Sequence, residues 1–267
     1  MKIGICCGAD KAELAKQAGC DYIEMHFTNI TRMDEEAFAE TLAELARVGM
    51  PCEAMNCLLP ADFVLASPEL DTAALAEFLA KGFARAKQLG VQVVVFGAGR
   101  ARRLPEGMSK QTGWEILAPI CRLAGDIAAK HGITIAIEPL RDGECNVVNT
   151  LRDGLALMNL AAHPNVRLLA DMFHMARNGE DMQDITLAGT DLRHCHIASP
   201  EGRMYPMPGD GGNDTYAAFF AALRAIDYAG RMTIEADGAP GGDPAAELPG
   251  CVAMLRSFFE KKEPKKL

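Results

Sequence analysis

"ITIAIEPLRDGE" (residues 133–144) runs branched apolar residues up to a glutamate, follows it with proline, and places a second glutamate six positions after the first. Ile133, Ile135 and Ile137 alternate with Thr134, Ala136 and Glu138. A period of two reads as a β-strand. Pro139 has no N–H and pushes Glu138 into extended backbone, so regular pairing is expected to end just after the glutamate. In this parity the isoleucines face outward toward helices, while Thr134, Ala136 and Glu138 face inward.

The residue before this stretch is Gly132, and the same phrase recurs along the chain. A helical pattern ends in glycine and a strand-like run follows at Gly19 (DYIEMHF), Gly49 (PCEAMNC), Gly90 (VQVVVFG), Gly132 and Gly230 (RMTIEAD). Glycine just past a helix is a C-cap signature, because it accepts left-handed backbone at little cost. VRLLADMF and DLRHCHIAS supply two further strands, and the opening KIGICC an eighth.

The intervening segments are amphipathic. Phe38, Leu42 and Leu45 share a face after Asp34, a candidate N-cap. Leu75, Phe78, Leu79, Gly82 and Leu89 form another face. So do Leu151, Leu155 and Met158 after Thr150, and Tyr216, Phe219, Phe220, Leu223 and Ile226 after Asn213. A helix from about 110 to 130 contains Pro119 and is expected to kink or split there. Eight strands alternating with eight helical segments predict one closed (β/α)8 TIM barrel over residues 1–262, with a basic tail at 263–267. An open doubly wound sheet is the alternative, but no Gly-x-Gly-x-x-Gly loop follows the first strand.

Composition fits such a domain. The chain has 267 residues, 49% apolar and 24% charged. No apolar run is long enough for a membrane span, and MKIGICCGAD becomes charged too early for a signal peptide. The nine cysteines are scattered without a C-x-x-C pair, which suits reduced thiols and a cytoplasmic setting. A net charge of −9 opposes nucleic-acid binding. The cluster Lys261, Lys262, Lys265 and Lys266 reads as a solvated helix end and terminus.

A barrel puts its chemistry at the C-terminal ends of its strands. Strand five delivers Glu138. Strand six delivers Asp171, strand seven His196 and strand eight Glu235, each in phase with an inward neighbour. Each strand-end carboxylate taken singly has a simpler reading, capping of the next helix. Taken together, three carboxylates at one mouth repel and would take up protons. A divalent cation resolves the repulsion. Three oxygen donors and one imidazole suit Mn²⁺ first, with Mg²⁺, Co²⁺ and Zn²⁺ as alternatives, and octahedral places remain for substrate oxygens. The lack of cysteine at the four positions argues against a structural zinc site.

The motifs IEP (137–139), DMFHM (171–175), HCHIA (194–198) and TIEAD (233–237) resemble the xylose isomerase-like TIM-barrel superfamily of sugar isomerases and epimerases, ketose 3-epimerases and hydroxypyruvate isomerase in particular. The resemblance implies that Glu138 and Glu235 are both metal ligands and acid/base groups, with Asp171 and His196 completing the metal set. It implies substrate binding by Glu144, His174 and Arg203, although the loop HIASPEGR (196–203) runs one residue longer than the family pattern. The expected chemistry is proton transfer beside a carbonyl through an enediolate, on a small sugar, in a protein that is a candidate homo-oligomer.

Other features stay open. NCLLPADFVLASPEL (56–70) reads as a lid, a subunit contact or a packed loop. Trp114 reads as a sugar platform or as helix packing, and Glu24, His26 and Glu53 as pocket lining. MPGDGGND (207–214) has turn chemistry at a helix start, but its aspartates disfavour a phosphate. Rival functions are an inosose dehydratase-like lyase and a non-catalytic scaffold or subunit. A multi-zinc DNA-repair endonuclease is disfavoured by six histidines and the negative charge.

Overall fold

The computed structural model describes residues 1–260; residues 261 and 262 and the expected basic tail lie outside them. Eight parallel strands close into a barrel in chain order. They are β1 (Lys2–Cys6), β2 (Tyr22–His26), β3 (Cys52–Asn56), β4 (Val93–Phe96), β5 (Thr134–Ile137), β6 (Val166–Asp171), β7 (Leu192–Ile197) and β8 (Arg231–Ile234). The parity read from the isoleucines holds. Ala136 and Leu169 pack with Tyr22, Ala54, Val93 and Val95 in a cluster of their own within the barrel, while Ile135 and Ile137 belong to the larger core shared with the helices. Tyr22 fits there because β1 presents Gly4, where a Cβ would meet the tyrosine ring at 2.5 Å.

Strand-end residues are held beyond the last regular pair. The Glu138 N–H donates to the Phe96 carbonyl at 3.2 Å, and the Glu235 N–H to the Ile197 carbonyl at 3.1 Å. Both glutamates therefore stand one residue past their strands, with their backbone still tied to the neighbouring strand.

The caps follow the sequence in part. Asp34 and Thr150 accept from backbone N–H groups at the starts of helices Glu35–Val48 and Leu151–Ala161. Gly49 and Gly90 end their helices in left-handed backbone. Gly230 does not: the left-handed residue at that corner is Asp227 (φ 52°). Glycine is needed at 230 because the Tyr228 ring fills the space of a side chain, with its hydroxyl bonded to the Arg231 backbone. Helix Lys110–Ala129 runs unsplit through Pro119. Asn213 is the first residue of helix Asn213–Ala225, whose cap position is Gly212. No helix among the described residues is long and apolar enough to cross a membrane.

One half-buried carboxyl gives the fold a pH dependence. Glu180 Oε1 accepts the Leu151 N–H at 2.7 Å, and Oε2 is buried without a partner. Burial raises this carboxyl to about 7. A folded-state pKa above the unfolded one means that the folded chain binds the extra proton, so stability falls as pH rises from the usual carboxylate range through about 7. Glu180→Gln keeps the acceptor and removes the charge. Its thermal midpoint should gain on wild type more at about pH 8 than at about pH 5; a gain independent of pH would refute the assignment.

Candidate active site

The four strand-end groups converge at the C-terminal mouth. His196 Nδ1 lies 2.9 Å from Glu138 Oε1, 3.4 Å from Glu235 Oε2 and 3.8 Å from Asp171 Oδ2. Glu138, Asp171 and His196 are buried. The capping reading of a strand-end aspartate is also correct here, and the two roles coexist. Asp171 Oδ1 accepts the His174 N–H at 3.0 Å and starts helix Met172–Arg177, leaving Oδ2 turned to the site.

His174 joins the same cluster: one donor atom each from Glu138, Asp171, His174 and Glu235 lie within 4.8 Å of one another. Its Nδ1 accepts the Arg141 N–H at 3.3 Å, while Nε2 is buried without a hydrogen-bond partner, 3.9 Å from Asp171 Oδ2. A buried orphan nitrogen beside a cavity is available to a ligand.

The residues proposed for substrate line one cavity of about 450 Å³ with Glu138 and Glu235. Arg203 Nη2 donates to Glu235 Oε2 at 2.8 Å, and Nη1 approaches Glu144 Oε1 at 3.5 Å. Its guanidinium lies over the Phe173 ring, 5.3 Å from the centroid. Arg203 itself has left-handed backbone (φ 54°), which lets the long 196–203 loop turn its side chain back over the mouth. Glu144 also receives Arg141 Nε at 2.7 Å.

The two glutamates titrate apart. Burial, and then the Glu235 charge, hold the Glu138 carboxyl above the usual range. Burial also pushes Glu235 upward, but His196 and Arg203 outweigh it and hold Glu235 well below the usual range. Beneath them burial again works upward on Glu24, and His196 and His194 bring it down to about 2. Two carboxyls pushed in opposite directions can divide acid and base work between them.

The sequence missed three supports. Asn56 Nδ2 donates to Glu235 Oε1 at 3.1 Å. Asn56 closes β3 in phase with Ala54, so the strand-end test applied to β3 would have found it. Arg102, fully buried, donates through Nη1 to the Phe96 carbonyl at 2.8 Å and through Nη2 to the Glu138 carbonyl. It pins the backbone of the first glutamate, and nothing in its loop, GAGRARRLPEG, signals that. Gly97 is the third, because a Cβ there would overlap Glu138 Oε2.

One expectation is corrected, and the features left open are decided. Glu53 does not reach the mouth. It sits at the start of β3, where its carboxylate meets Arg231 Nε at 2.6 Å and the Lys2 ammonium, at the barrel floor. Glu24 lies below the carboxylates with both oxygens bonded to interior side chains; His26 does line the cavity. Trp114 packs on the helix side, with Nε1 donating to the Val147 carbonyl at 2.8 Å. The 56–70 loop buries Leu58, Leu59 and Leu65 and forms one cavity wall. In the 207–214 turn, Asp210 takes the Gly212 N–H at 2.9 Å and the Tyr216 hydroxyl, occupying groups a phosphate would need.

The fold, the four motifs and their convergence agree with a family match. The xylose isomerase-like TIM-barrel family matches residues 12–257. The chain belongs to that family. It is 29% identical over 251 residues to an L-ribulose 3-epimerase of Methylomonas sp. (strain DH-1), covering 92% of this chain and 84% of the relative. It is 25% identical over 239 residues to an inosose isomerase of Bacillus velezensis, covering 84% and 81%. A solved D-allulose 3-epimerase from Methylomonas sp., in complex with D-allulose, has the same fold: TM-score 0.82 at 24% identity over 97% of both chains. The relatives are isomerases and epimerases, and this chain is an enzyme of that class.

Proposed function

We propose that the protein is a divalent-metal-dependent ketose epimerase that moves a proton at a carbon beside the carbonyl of a small sugar. The observation that carries the reading is the meeting of His196 Nδ1 with three carboxylates within 3.8 Å, inside the cavity mouth. The donor set fits a cation: three acidic oxygens and one imidazole nitrogen meet at one point, and two of the carboxylates are buried. Glu138, Asp171, His196 and Glu235 are the proposed ligands, Mn²⁺ the favoured ion, and Mg²⁺, Co²⁺ and Zn²⁺ the alternatives. When bound, the ion supplies Lewis-acid stabilisation of the charge that develops on the carbonyl oxygen.

The remaining work falls to the side chains. Glu138 enters from β5 and Glu235 from β8, so one carboxylate can take a proton from one face of the sugar while the other delivers a proton to the opposite face. Asn56 and Arg203 each hold one oxygen of Glu235 and set its direction. His174 Nε2, which makes no hydrogen bond within the protein, donates to a substrate hydroxyl. Arg203 and Glu144 bind the hydroxyls further along the chain, and the apolar wall of Leu59, Pro60 and Ala61 limits access of water to the carbanion-like centre.

A panel of ketoses incubated with Mn²⁺ and the protein in D₂O, followed by NMR, tests this. The expected result is deuterium at the carbon whose configuration inverts. Deuterium at the adjacent carbon with an aldose product would make the enzyme an aldose–ketose isomerase. Loss of water from an added inosose, with no exchange into any ketose, would replace the proposal with a dehydratase.

A further inference from the structure

One layer below the carboxylates, a barrel is ordinarily filled by apolar side chains. Here that layer holds Glu24 and Tyr22 from β2, His194 from β7 and Thr233 from β8, none more than 1% exposed. Glu24 Oε1 faces His196 Nε2 at 3.0 Å. Glu24 Oε2 faces His194 Nε2 at 2.7 Å and accepts the Thr233 hydroxyl at 2.6 Å. Thr233 Oγ1 in turn lies 2.7 Å from the Tyr22 hydroxyl. The His194 ring stands edge-on to His196, with centroids 5.0 Å apart. A buried polar ladder of this kind is a poor way to stabilise a core, since apolar residues of similar volume commonly do as well. Its geometry gives it another use.

The ladder ends on His196, and the two ring nitrogens of His196 face different things. Nδ1 faces Glu138, Asp171 and Glu235, while Nε2 faces only Glu24 among its ion-pair partners. An imidazole presents a lone pair at Nδ1 only when its proton resides on Nε2. An ionised carboxylate accepts and never donates, so Glu24 selects that tautomer. Contacts from His194 and Thr233 on the other oxygen keep the carboxylate from rotating away.

We propose that Glu24, pinned by His194 and Thr233, is a positioning residue that orients His196 and keeps its Nδ1 lone pair turned to the cation site. This rests on the metal reading given above. Glu24 touches no substrate and acts through the histidine alone.

The test is Mn²⁺ affinity of the purified protein, measured by competition with a fluorescent chelator, without substrate. Glu24→Gln preserves shape but turns an amide NH₂ toward one of its partners. Its Mn²⁺ dissociation constant should rise about 10–100-fold. At saturating Mn²⁺ its KM for the ketose should stay at the wild-type value. Thr233→Val removes one pin at nearly equal volume and should weaken Mn²⁺ by a smaller factor, about 2–10-fold; it carries the test if Glu24→Gln does not fold. A folded Glu24→Gln that binds Mn²⁺ as wild type does would overturn the positioning role and leave the metal site standing. Failure of wild type to bind any of Mn²⁺, Mg²⁺, Co²⁺ and Zn²⁺ would overturn both. Two ions per wild-type chain, falling to one in Glu24→Gln, would make Glu24 a ligand beside Cys6 and His196 and overturn the positioning role.

Discussion

Glu138→Gln should lower kcat by about 10²–10⁴-fold, and Glu235→Gln by a similar factor, because each removes one of the two groups that carry protons. The amide matches the carboxylate in shape, so packing survives and the chemistry alone is lost. Each glutamate is also a proposed ligand, and metal affinity should fall as well. The two effects separate at saturating Mn²⁺: lost affinity is then compensated, and lost proton transfer is not. The partition between the mutants is sharper still. With one acid/base group gone, the surviving carboxylate can still exchange the proton on its own face. Each variant should then incorporate solvent deuterium from only one of the two epimeric ketoses, the opposite one in each case. Turnover close to wild type by either variant at saturating Mn²⁺ would defeat the two-carboxylate mechanism. Equal exchange from both epimers in a slow variant would mean that a single group serves both faces.

The opening glutamate was legible because three local signals agree on it. Alternating isoleucines fix its parity, Pro139 fixes where pairing stops, and a closed barrel fixes which strand end faces the cavity. The same logic reaches Asp171, His196 and Glu235, and the structure brings all four together. It fails where parity or position along the strand is not written locally. Glu53 belongs at the floor because β3 spans only Cys52–Asn56, and the partners that hold it, Lys2 and Arg231, come from β1 and β8. Trp114 reads equally as a sugar platform or as helix packing in a linear reading, and what decides for packing is a backbone carbonyl 33 residues away that takes its indole N–H. Arg102 was silent for the same reason: its acceptors are carbonyls of β4 and of Glu138, and a carbonyl carries no sequence identity. Residues that hold the site in place act through backbone and through distant strands. Residues that do the chemistry announce themselves by type.

Gly97→Ala should cost the enzyme about 10²-fold or more in kcat while moving its thermal midpoint by no more than about 3 °C. Gly97 follows the last residue of β4 and has no positive φ, so alanine suits its backbone. What the new methyl meets is the far end of Glu138: Oε2 in overlap, Cδ at 3.4 Å, and then Leu140 Cδ2 at 3.8 Å. A flexible side chain yields to such a clash at little cost in folding. Here the part that yields is one of the two carboxylates proposed to move the proton, and its backbone cannot follow because Arg102 and the Phe96 carbonyl hold it. The carboxylate must therefore swing away from His196 Nδ1, and a displacement of about 1 Å at a reacting group is enough for a loss of this size. The separation of effects is the test. A general packing fault would lower the thermal midpoint and activity together, whereas displacement of Glu138 lowers activity and Mn²⁺ affinity in a protein that melts as before. Gly97→Ala with wild-type turnover would show that Glu138 does not work from the position it holds against that glycine.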